Sequence, residues 1–123
     1  MNTAIWVVQI LLALMFAFSG LSKLTQPYER LAQQMGYVND FSPNTIRAIG
    51  ALEILGALGV VLPALTDILV WLTPTAAVGL ALVMLGAMAT HFRRKEYPMM
   101  LINLVLLALA VFVAYGRFVA EPL

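Results

Sequence analysis

The chain contains no cysteine. That excludes disulfides, thiol relays, iron–sulfur clusters and thiolate metal sites, and it leaves the redox compartment unreadable from cysteine usage. Charge is nearly as scarce. Lys, Arg, Asp and Glu make up 11% of 123 residues, with a net charge of +1, whereas 63% of the chain is hydrophobic. So few polar side chains would leave a soluble domain of this size without a surface, so this is a membrane protein, with the lipid bilayer as its first partner and no nucleic acid expected. There is a single histidine, no P-loop, no Gly-rich dinucleotide fingerprint and no paired metal ligands such as H-E-x-x-H. Little therefore speaks for an autonomous enzyme, for a metal site or for an intrinsic cofactor.

What is present is four apolar runs. Each approaches or exceeds the roughly 20 residues that cross a hydrocarbon core of about 30 Å. The spans are predicted at about 4–22, 44–62, 68–92 and 99–116, giving one all-α domain over 1–123, a polytopic four-transmembrane-helix bundle. The first run is longer than a signal-peptide core, and Met1 to Thr3 carry no basic side chain, so it is read as a retained span. Between spans one and two, Thr25 to Tyr37 places Tyr28, Leu31, Ala32 and Met35 opposite Glu29, Arg30, Gln33 and Gln34. This pattern predicts a short interfacial amphipathic helix, read as a linker lying flat at the membrane surface with a lid over a site as the alternative. Ser42 and Pro43 read as the cap and first turn of span two. Pro63 is predicted to stop that span ahead of a tight turn at Thr66 and Asp67, and Pro74 to kink the third. The tail after Arg117 reads as too short to fold.

The basic residues are lopsided. Lys23, Arg30, Arg47, Arg93, Arg94 and Lys95 lie near the first and third loops, against Arg117 alone on the other side. By the positive-inside rule those loops face the cytoplasm and both termini lie outside it.

One residue does not suit its setting. Glu53 sits within the apolar run RAIGALEILGALGVVLP, residues 47–63. An ionised side chain near mid-bilayer costs on the order of 2.5–3.5 kcal/mol on insertion scales, so other helices are expected to supply donors or a wet cavity. The four-span topology brings candidates to the same end. Lys23 closes span one, Arg47 opens span two, His91 closes span three and Asn103 lies early in span four. Ser19, four residues before Lys23, shares its helix face and extends the polar line toward Glu53. Glu53 lies about 9 Å deeper than Arg47 and points roughly 120° away from it. A polar pocket built from Ser19, Lys23, Arg47, Glu53, His91 and Asn103, open to the cytoplasm, is the packing solution these positions predict. Each also has a plainer reading: Lys23, Arg47 and His91 as interfacial anchors, Asn103 as an interhelical hydrogen bond, Glu53 as half of a buried ion pair.

The combination of FAFSGLSKL at 16–24, the G-x-x-E-x-x-G core of span two ending at Pro63, and a third span closing in Ala89, Thr90 and His91 resembles the DoxX family of small four-span bacterial membrane proteins. The resemblance extends over essentially the whole chain. It implies residence in the bacterial inner membrane and a link to redox complexes. The family is named for association with a thiosulfate-to-quinone oxidoreductase, and distant relatives act as assembly factors. Two function classes stand side by side. One is a non-catalytic subunit or assembly factor of a membrane-associated redox or quinone-linked complex. The other is a protein that binds a quinone or similar small amphiphile, with Lys23 or His91 bonding a carbonyl and Glu53 carrying a proton. A proton-coupled exporter is a third reading. Self-association stays open, because Gly56 and Gly59 suit an internal helix contact or a homo-oligomer face equally well.

Overall fold

A computed structural model describes residues 1–123. The helices are α1 (Asn2–Thr25), α2 (Tyr28–Gln34), α3 (Pro43–Thr66), α4 (Leu72–Arg93) and α5 (Tyr97–Tyr115), with a 3-10 turn at Gly36–Asp40 and a π turn at Gly116–Ala120. Four of them are long and apolar enough to cross a membrane. There are no strands, and the all-α four-span bundle read from the sequence is the architecture observed.

α1 packs most extensively on α3, and α4 on α5; α3 meets α4, whereas α1 and α5 make a smaller contact. Lipid is as apolar as the helices, so association rests on close packing and buried hydrogen bonds rather than on hydrophobic burial alone. Small residues set those approaches. A Cβ added at Gly20 would lie 2.6 Å from the Gly50 carbonyl oxygen, so α1 and α3 cross backbone to backbone there. Gly56 and Gly59 face Leu80 and Ala76 of α4. Both are thus used inside the protomer. The central core gathers Leu12 and Phe16 of α1, Ala57 and Val60 of α3, Leu80 and Met84 of α4, and Ala110 and Val113 of α5. Large apolar side chains such as Phe18, Leu55, Leu82 and Leu101 point outward and form the lipid-facing surface.

Helix boundaries depart from the reading in three places. α3 does not stop at Pro63 but runs on to Thr66, ending where Asp67 adopts a left-handed conformation (φ 56°). Pro63 leaves only one carbonyl without its helical donor, and a transmembrane helix absorbs that loss. Ile68 belongs to the turn, in which Leu69 also has positive φ (51°), and α4 begins at Leu72. Pro74 consequently falls in the first turn, where amide hydrogens have no helical acceptor in any case. The Trp71 carbonyl is taken by the Thr75 hydroxyl at 2.8 Å. Finally, the tail does fold. Its π turn buries Arg117, whose Nε donates to Gln9 Oε1 (2.7 Å) while Nη1 donates to Asn2 Oδ1 (2.7 Å) and the Glu121 carbonyl (3.0 Å). Gln9 in turn donates to the Val60 carbonyl at 2.7 Å, so one chain of hydrogen bonds locks α1, α3 and the tail together at the terminal end.

At the opposite, basic end, Pro27 stands just before α2, and the Ser42 hydroxyl caps α3 by accepting from the Thr45 amide at 3.2 Å. Leu31 of α2, Val38 of the 3-10 turn and Ile46 of α3 form a small second core that seats this connection across the bundle.

Candidate functional site

Glu53 lies in the middle of α3, one helical turn beyond Gly50, where the crossing with Gly20 draws α1 close. That approach delivers Ser19 and Lys23. Lys23 Nζ donates to Ser19 Oγ (2.6 Å) and pairs with Glu53 Oε1 (2.9 Å), and the Ser19 hydroxyl donates to the carboxylate at 3.1–3.2 Å. The Lys23 and Glu53 side chains are only 6% and 4% exposed. Two residues, Ser19 and Lys23, thus satisfy the acid that has no place in an apolar helix. The ammonium carries three N–H groups; these contacts use two, and the Tyr37 phenol also interacts with Lys23.

Arg47 does not join them. Its guanidinium donates to the Lys23 backbone carbonyl. That carbonyl would accept from residue 27 in a continuing helix, but residue 27 is proline and has no N–H. Arg47 therefore supplies the missing donor at the end of α1 and stands behind the cluster rather than in it.

Around the pair lies a cavity of about 480 Å³. Ser19, Lys23, Glu53, His91 and Asn103 all line it, so five of the six residues singled out from the sequence meet in one space. Its size is that of a pocket for a drug-sized molecule. Most of the wall is apolar and soft, with Met15 and Phe16 of α1, Ile49 of α3, Val83, Met84 and Ala87 of α4, and Met99 and Leu106 of α5. Asn103 is 7% exposed, and its Nδ2 has no hydrogen-bond partner. It is a buried donor with nothing in the protein to donate to, on a residue that lines the cavity.

The basic end of the cavity carries a second polar group. His91 Nδ1–H donates to Glu96 Oε1 at 2.8 Å, Arg94 Nε approaches Glu96 Oε2 at 3.4 Å, and Arg94 Nη1 donates to Asp40 Oδ1 at 3.0 Å. The hydrogen bond from His91, with Arg94 adding to it, holds the Glu96 carboxyl below its usual range. Tyr37 meets the His91 ring edge-on, with centroids 5.2 Å apart, and burial raises its phenol above the ordinary value.

Several of these residues were not legible beforehand. Met35 and Tyr37 fall within the predicted amphipathic segment, for which a surface linker is the main reading and a lid the alternative, and Phe41 follows it; all three line the cavity. Glu96 follows His91 by five residues across a helix end, a spacing that no helical periodicity highlights. Arg93 also reaches the lining from the α4 terminus.

Fold and site together define a four-span helical membrane protein enclosing a largely apolar cavity with a charged, hydrogen-bonding head. The chain belongs to the DoxX-like family, whose model matches residues 7–113. Every residue that forms the cluster around Glu53 falls inside that match. Neither a curated protein nor a solved structure matches the chain.

Proposed function

We propose that this protein holds a small amphiphile with hydrogen-bond-accepting oxygens in the cavity beside Glu53, a quinone being the head group of the right chemistry. It would do so as the ligand-holding, non-catalytic subunit of a membrane-associated redox complex. The observation that carries this reading is the unpartnered Asn103 amide in a cavity of about 480 Å³. A buried donor left unpaired costs about 1–3 kcal/mol, which a ligand carbonyl recovers. The Lys23 ammonium, which also interacts with the Tyr37 phenol, offers a second donor from α1, and a benzoquinone ring has two carbonyl oxygens to answer them. Ser19 and Glu53 then orient Lys23, and Glu53 is the acidic group beside the head. His91, fixed by Glu96, stands at the basic end of the cavity.

The family favours a partner in a redox complex, and electrons for such a ligand would come from that partner. The concentration of Lys23, Arg30, Arg47, Arg93, Arg94 and Lys95 at one end supports a bacterial inner-membrane orientation with that end cytoplasmic and both termini outside.

The test is extraction of the purified, detergent-solubilised protein for bound quinone or lipid, followed by titration with a decyl-substituted benzoquinone. Saturable binding at one site per chain is expected. Asn103→Leu should weaken it by about tenfold or more, the equivalent of one hydrogen bond of about 1.4 kcal/mol. Wild-type protein that yields no extractable amphiphile and binds no quinone would end this reading.

A further inference from the structure

The cavity is closed unequally on its different sides. Toward the basic end, Met35, Tyr37 and Phe41 cover it, and the segment that carries them is tied down. The Tyr28 hydroxyl is within hydrogen-bond distance of the Val38 and Phe41 carbonyls, at 3.0 and 2.6 Å, which fixes the 3-10 turn. Arg94 clasps that turn through Asp40 and the α4–α5 loop through Glu96.

The flank between α1 and α5 has no such closure. The contact between these two helices is smaller than those of α1 with α3, α3 with α4 and α4 with α5. On this side α1 is held at the terminal end by the π turn that follows α5, where a Cβ on Gly116 would come within 2.6 Å of Ile5 Cδ1 and where Arg117 bonds Gln9. Toward the cavity α1 contributes Met15 and α5 contributes Met99 to its lining, and both side chains are exposed, at 45% and 38%. An unbranched thioether repacks easily, so two methionines frame an opening without sealing it.

We infer that the occupant is a chain-bearing lipid that enters sideways from the bilayer between α1 and α5, and that its chain stays between Met15 and Met99 while its head reaches Asn103. This rests on the binding reading above and adds the class of ligand and its route. A hydrocarbon chain left in the gap exchanges one apolar surrounding for another, so lateral loading carries no desolvation penalty for the chain. A head arriving from water would instead have to part the Arg94 clasp and the Tyr37 cover.

The absence of native cysteine makes the route testable in the full chain, reconstituted in lipid nanodiscs. Met99→Cys and, separately, Met15→Cys are modified after folding with a bulky maleimide, and the association rate of the decyl-benzoquinone probe is followed by stopped flow. Each adduct is expected to slow association by about tenfold or more, the scale of a conformational or steric gate. The same adduct on Leu55→Cys, on the lipid face of α3 (64% exposed), and the Arg94→Ala clasp variant should stay within about twofold of wild type. Adducts at both methionines that behave like the Leu55 adduct, or an Arg94→Ala variant that associates about tenfold faster, would overturn lateral entry while leaving the site itself standing. Wild-type protein that takes up no probe would instead remove the binding reading and this inference with it.

Discussion

Removing one member of the Lys23–Glu53 pair tests both what holds the bundle and what the cavity is for. The pair is 2.9 Å apart with both side chains almost wholly buried. Removing a single partner from such a pair costs about 3–5 kcal/mol, because the remaining charge stays buried without compensation, whereas apolar replacement of both partners is often near neutral. Glu53→Leu is therefore expected to lose about 3–5 kcal/mol, a fall in Tm of roughly 10–20 °C if the response resembles that of other domains of comparable size. Glu53→Gln should lose less, about 1–3 kcal/mol, since an amide oxygen still accepts from Ser19 and Lys23 but without charge assistance. The double variant Lys23→Met/Glu53→Leu should recover most of the loss. Thermal unfolding of wild type, Glu53→Leu, Lys23→Met and the double variant in one detergent, followed by circular dichroism, gives all four points of the cycle. A coupling energy below about 1 kcal/mol would refute the argument, because two charges in the observed geometry cannot be energetically independent. The same double variant separates packing from function: it should fold and yet lose the bound amphiphile, whereas retained binding would make the pair purely structural.

Three further outcomes are expected. Gly20→Val should destabilise by about 1–3 kcal/mol, because its Cβ would meet the Gly50 carbonyl and Ile54 within 2.7 Å, whereas Gly79→Ala, with nothing within 4 Å, should be neutral or slightly stabilising in the same melts. The depressed carboxyl of Glu96 contributes stability that is in place above the unfolded-state value of 4.5 and is lost as pH falls through its lower folded value. Wild type should thus lose more stability than Glu96→Gln across that acid window, and equal slopes would dismiss the His91–Glu96 contact. Single cysteines at Gln34 and Lys95 should label from the cytoplasmic side and one at Thr66 from outside; labelling of all three from one side would end the proposed topology.

Much of this molecule could be read before folding, for a physical reason. Bilayer crossing is decided by the hydropathy of about 20 consecutive residues, a property local to each run, so the four spans and the anomaly of Glu53 stand in the linear chain. Antiparallel succession then brings Ser19, Lys23, His91 and Asn103 to one end of the bundle without further information. The polar residues of the cluster were therefore legible as a group. Their pairings were not, because a helix face becomes a partner only when another backbone approaches it. Lys23 rather than Arg47 reaches Glu53 because Gly20 and Gly50 allow α1 and α3 to touch, and Arg47 is diverted because Pro27 withholds an amide from the Lys23 carbonyl. The covering residues Met35, Tyr37 and Phe41 depend on how a polar connection folds back across the bundle, which no periodicity encodes. The lock between Gln9 and Arg117 joins residues 108 positions apart. Only the tertiary structure could assign it, since each side chain on its own reads as an ordinary polar group near a membrane surface.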